Sequence, residues 1–98
     1  MAEGREPCPR GFIKIPIEIT HGTINSNESS TVQVLLSDLG LSNNDFIGGI
    51  ALSGAYNSEV VPWSYYIEGT YLTSRLRNVG NNTATGIIAR YYILHYVE

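Results

Sequence analysis

The chain has a single cysteine, Cys8, so no disulfide can form within it, and the fold must rest on packing or on association. Charge is also scarce. Charged residues make up 15% of the sequence, against about 25% in a typical soluble domain, and a surface short of charge is one that protein contacts can cover. Lys14 is the sole lysine, and the net charge is −3. A nucleic-acid partner is therefore not expected, because neutralising phosphates requires a clustered basic surface. No apolar run reaches the ~18 residues that span a bilayer, so no membrane insertion is expected. The opening "MAEGREPCPR" lacks the apolar core of a signal peptide, which points to synthesis and assembly in a cytoplasm. Helical periodicity, internal repeats and low-complexity tracts are missing too.

What is present is alternation. At 98 residues and 43% hydrophobic content, the chain is one domain with a real core. "GFIKIPIEIT" places Ile13, Ile15, Ile17 and Ile19 on one face and Phe12, Lys14, Pro16, Glu18 and Thr20 on the other, the period of a strand. Pro16 cannot donate a ladder hydrogen bond, so this strand belongs at a sheet edge or carries a bulge. "HGTINSNESS" reads as a polar loop. "STVQVLL" alternates again, with Val32, Val34 and Leu36 inward. "SDLGLSNND" is at most one helical turn. "DFIGGIALSG" is a strand whose paired Gly48 and Gly49 suggest a bulge or a close backbone approach. "AYNSEVVP" reads as a loop, "WSYYIE" and "YLTSRLRN" as a hairpin, and "VGNNTAT" as the last turn. These six strands, spaced by turn signals, predict an all-β fold: a single antiparallel β-sandwich, jelly-roll-like, over residues 11–98. The polar residues 1–10 are expected to form an extended arm, kept straight by Pro7 and Pro9 around Cys8, that runs along a neighbouring chain.

The closing strand "GIIARYYILHYVE" raises a question. Ile87, Ala89, Tyr91, Ile93, His95 and Val97 point one way, and Ile88, Arg90, Tyr92, Leu94 and Tyr96 point the other. Neither row is polar, whereas a strand at the face of a small sandwich should have one wet side. Either loops of the same chain or a second copy must cover the outer row. We expect a second copy, with Ile88, Arg90, Tyr92, Leu94 and Tyr96 as the oligomer interface and Arg90 paired to a carboxylate of the neighbouring subunit.

Residues able to do chemistry are few. His21, His95 and Cys8 are the only soft metal ligands, and no two have a ligand spacing, so no metal and no cofactor are expected. His95 alternates with Ile93 and Val97 and reads as a packed, hydrogen-bonded histidine; His21, beside Gly22, reads as a turn residue. Cys8 lacks an evident base. "SNND", residues 42–45, lacks the carboxylate count of a calcium loop and fits Asx-turn bonding better. The carboxylates Glu18, Glu59 and Glu68 are scattered, and no nucleophile, base and oxyanion donor come together, so the chain is not expected to be an enzyme. Thr73, Arg75 and Arg77 share one face of a strand, where they could grip a carboxylate or a sulfated sugar, or simply form a solvated or paired face. Tyr56 and Trp63 flank a loop and offer a carbohydrate platform.

Two segments, "TINSNESSTVQVLLSDLGLSNNDFI" and "YYIEGTYLTSRLRNVGNNTATGIIARYYILHYV", resemble small β-domains of tailed-bacteriophage virion proteins, those of capsid decoration proteins, head fibres, tail-fibre tips and baseplates. The shared style is a Thr/Ser/Asn-rich turn feeding a strand and an "LRN" turn into a long closing strand rich in aromatics. The resemblance implies a non-enzymatic structural or attachment role in a virion assembled in a host cytoplasm. It also implies a homotrimer, other virion proteins such as major capsid or tail proteins as partners, and, as the alternative role, binding of a host-surface glycan. It assigns no site residue.

Overall fold

The computed structural model describes residues 11–97, through which six strands run. They are β1 (Gly11–Ile24), β2 (Ser29–Leu35), β3 (Phe46–Ala55), β4 (Val60–Glu68), β5 (Tyr71–Asn78) and β6 (Ala84–Val97). Two three-stranded sheets result, ordered β1-β6-β3 and β2-β5-β4, with every neighbouring pair antiparallel. The first strand pairs with the last and the second with the last but one. Successive strands change sheet except at the β4–β5 hairpin, which is jelly-roll order reduced to six strands. The all-β sandwich expected from the alternation is the fold observed. The arm with Pro7, Cys8 and Pro9 lies outside the described residues. Among those described, no helix is long and apolar enough to cross a membrane.

Local chemistry explains most boundaries. β1 is an edge strand, so the missing N–H of Pro16 leaves no gap in a central ladder. It also continues through "HGTI", where a loop was expected. The register with β6 shifts on both sides of Gly22, and these irregularities keep the polar stretch paired while bringing Ile24 into the core. In β3, Gly48 is the extra residue between the pairs Ile47–Ile93 and Gly49–Tyr92. A Cβ there would lie 3.0 Å from Cγ of Leu94, so the bulge is where the Leu94 side chain lies against the bare backbone. β4 starts at Val60, three residues earlier than the sequence suggested. "AYNSEVVP" is thus a single short 3-10 turn, Asn57–Glu59, followed by strand.

The central strands supply the core, because each is flanked on both sides. Leu72 and Leu76 of β5 and Ala84, Ile87, Ala89, Tyr91 and Ile93 of β6 are fully buried. Leu36, the first residue of a 3-10 turn at Leu36–Leu39, and Leu41 just after it are buried with this core. The second sheet is shorter: β1 and β6 run 14 residues each, and β2 runs 7. Ile13, expected inside with the other isoleucines, is therefore left 52% exposed at the start of β1.

Candidate functional site

The sandwich presents two outer faces of different chemistry. On the first, β6 projects Ile88, Arg90, Tyr92, Leu94 and Tyr96 between β1 and β3. Register places Phe12 opposite Tyr96, Lys14 opposite Leu94, Pro16 opposite Tyr92 and Glu18 opposite Arg90. Phe12 meets Tyr96 and Phe46 edge-on, with ring centroids 5.4 and 5.7 Å apart. The Lys14 ammonium lies 5.3 Å from the centre of the Tyr92 ring. Arg90 donates to Glu18 through Nε at 3.1 Å and also through Nη2. Its carboxylate partner is thus supplied by the adjacent strand, not by a neighbouring subunit as expected. Glu18 holds the guanidinium above its ordinary pKa. The flanking side chains half-bury Ile88, Tyr92 and Leu94, yet Phe12, Phe46 and Tyr96 remain 50, 57 and 44% exposed.

The outer face of β2-β5-β4 is polar, basic and aromatic. Trp63 is the extra residue of a bulge between the pairs Pro62–Leu76 and Ser64–Arg75. That position puts its indole beside two arginines of β5, with the guanidinium carbons of Arg75 and Arg77 lying 5.4 and 5.9 Å from the ring centre. Nε of Arg75 donates to Oγ1 of Thr31 at 3.1 Å, and Nη1 of Arg77 donates to Oγ of Ser29 at 3.2 Å. Among the described residues the one arginine–carboxylate pair is Arg90–Glu18, and no carboxylate among them matches Arg75 or Arg77. Thr73 shares this face, as its parity indicated, but is only 2% exposed and accepts a bond from Gln33 Nε2 at 3.2 Å. Tyr56 is exposed at a left-handed φ of 60° before the 3-10 turn and makes no ring contact with Trp63. The structure therefore groups Trp63 with Arg75 and Arg77 instead of with Tyr56.

Between the sheets lies a polar chain that the sequence reading missed. His21 is no turn residue. Its Nδ1 lies 2.8 Å from Oγ of Ser30 and its Nε2 lies 2.7 Å from Oγ of Ser74, which in turn lies 2.5 Å from the Tyr91 hydroxyl. Burial pushes the pKa of His21 down and that of Tyr91 up. Ser74, fully buried, has no open path to a substrate, and the chain ties one sheet to the other. A signal was available, since Ser74 alternates with Leu72 and Leu76 on the apolar side of β5.

His95 is hydrogen-bonded, as expected. Its Nδ1 is 2.9 Å from Oδ1 of Asp45, a carboxylate that also accepts from the backbone N–H of Tyr96 at 3.1 Å and of Ser42 at 2.9 Å. Burial alone would raise the pKa of Asp45, but these donors outweigh it and the net shift is downward. The "SNND" segment is thus a turn closed on its own aspartate. Among the described residues, no three His, Cys, Asp or Glu side chains converge as a metal site would require. A cavity of about 390 Å³ between the 3-10 turn and the β4–β5 hairpin is lined by Leu35, Leu36, Leu41, Ser42 and Thr70 among others, and it contains no titratable group.

No family model matches the chain, and neither a curated protein nor a solved structure matches it.

Proposed function

We propose that the protein is a non-enzymatic building block that associates with further copies of itself through the outer face of β1-β6-β3. One observation carries this reading: the central strand β6 is apolar on both sides, and its outer row ends in a Phe12–Phe46–Tyr96 cluster left in solvent. Contiguous apolar patches of this kind are uncommon on monomers. Burying one contributes about 25 cal/mol per Å² before association costs. The Glu18–Arg90 pair suits such a face, because the one cation of the β6 row already has its counter-charge when water leaves. A partner must then supply apolar surface and accommodate Lys14, whose ammonium lies over the Tyr92 ring. The resemblance to virion domains supports a three-fold arrangement and a capsid-decorating or fibre role.

Native mass spectrometry and sedimentation of the full chain test the proposal, with Phe46→Glu and Tyr96→Glu as variants. Both positions are exposed, so each variant is expected to keep its fold, which circular dichroism checks. The wild type is expected to be oligomeric and each variant a folded monomer. A wild type that stays monomeric at micromolar concentration, or variants that remain assembled, would overturn the reading.

A further inference from the structure

Arg75 and Arg77, which have no carboxylate partner among the described residues, lie on the opposite side of the molecule from the apolar face. We infer that Trp63, Arg75 and Arg77, with the hydroxyls of Ser29 and Thr31 behind them, form a binding site for an anionic oligosaccharide, one bearing sulfate or carboxylate groups.

The geometry argues for a ligand that is both charged and ring-shaped. Arg75 and Arg77 are alternate residues of β5, so their side chains leave the sheet about 6.8 Å apart on one face. Each guanidinium spends one N–H on a hydroxyl of β2. The remaining donors of each planar fork lack a carboxylate among the described residues, and a fork of this kind matches the oxygens of a carboxylate or sulfate. The hydroxyl bonds and the indole hold both forks in place, which lowers the ordering cost of binding. Trp63 remains 56% exposed although two cations lie beside it, so much of its ring is available to the apolar side of a sugar. Tyr66 extends the same face, 39% exposed and paired opposite Thr73. Nucleic acid fits less well: two cations on a chain of net charge −3 cannot neutralise a phosphate backbone. The inference does not depend on self-association, since it uses the other sheet.

Trp63 is the only tryptophan, so intrinsic fluorescence of the full chain reads this site directly. The chain would be titrated with sulfated dextran oligosaccharide, oligogalacturonate, neutral dextran of the same length and single-stranded DNA. Saturable quenching or a spectral shift is expected with at least one of the two anionic sugars, and none with neutral dextran. Arg75→Gln/Arg77→Gln should weaken that binding by roughly tenfold or more, as the loss of charged hydrogen bonds implies. Asn43→Ala, in an exposed turn on neither outer face, should leave it unchanged. Circular dichroism of the double variant checks that the sheets remain. Four results would overturn the inference: no saturable response to either anionic sugar, equal binding of neutral dextran, equal binding of DNA, or undiminished affinity in a folded double variant.

Discussion

Nε2 of His21 on β1 lies 2.7 Å from Oγ of Ser74 on β5, a bond that crosses from one sheet to the other. The ring also meets Ser30 of β2, and Ser74 continues to Tyr91 of β6. Four strands thus share one polar chain between the sheets. Its members satisfy one another, which is the condition under which buried polar groups hold a core in one arrangement.

This chain makes stability depend on pH in a definite direction. Burial lowers the pKa of His21 from its ordinary 6.5. The unfolded chain therefore takes up a proton at a higher pH than the folded one. Stability from this group is complete above pH 6.5 and declines as pH falls from there toward the folded value. Urea midpoints measured from pH 8 to 5 should fall for the wild type more than for His21→Asn. Equal slopes would mean that the imidazole is not held neutral.

Asp45 acts in a lower window. Its backbone and His95 donors bring the net pKa below the ordinary 3.8 despite burial. The unfolded state again binds its proton first, so the contribution is intact above pH 3.8 and is lost as pH drops through the folded value. Asp45→Asn should flatten the acid limb of the stability curve below pH 4 and loosen the Ser42–Asp45 turn, measurable by amide exchange at Ser42 and Tyr96.

Asn78 is fully buried. Its Nδ2 donates to the carbonyls of Ile24 at 2.9 Å and Asn82 at 2.7 Å, and its Oδ1 accepts from the N–H of Gly80 at 2.9 Å. One side chain thereby holds the β1–β2 and β5–β6 connections together. Asn78→Ala should destabilise by about 2 kcal/mol, because the buried carbonyl of Ile24 and two half-buried backbone groups lose their partner together. Chemical denaturation measures it, and a loss under about 0.5 kcal/mol would refute the assignment.

Gly54 and Gly86 offer a paired test of backbone constraint. Both have positive φ, 117° and 63°. A Cβ at Gly54 would sit 2.6 Å from the carbonyl oxygen of Gly86, whereas one at Gly86 meets nothing within 4 Å. Gly86→Ala should cost about 1–2 kcal/mol, for the left-handed conformation alone. Gly54→Ala should cost more, since the clash is with backbone that cannot rotate away. Thermal unfolding of the two variants side by side gives the order.

Period-two alternation is a local property, and the sequence alone determined what depends on it: the existence of six strands, the inward rows Val32/Val34 and Ile87/Ala89/Tyr91/Ile93, and the two-sided apolar character of β6; for the strand holding Pro16 it left an edge or a bulge, and the sheet order decided for the edge. Even the grouping of Arg75 with Arg77 on one face is legible, because the two are separated by a single residue. Stretches with two local readings were decided otherwise. "HGTI" is polar enough to be a loop and became strand because bulges let it stay paired with β6. The relationships that make the candidate sites came only with tertiary structure. Glu18 reaches Arg90 across 72 positions because of the β1–β6 register. Trp63 meets Arg75 and Arg77 because a bulge in β4 sets it between them. His21 finds Ser74 because two sheets stack. Register and sheet stacking are set by the sum of many long-range contacts, and no short window of sequence contains that sum.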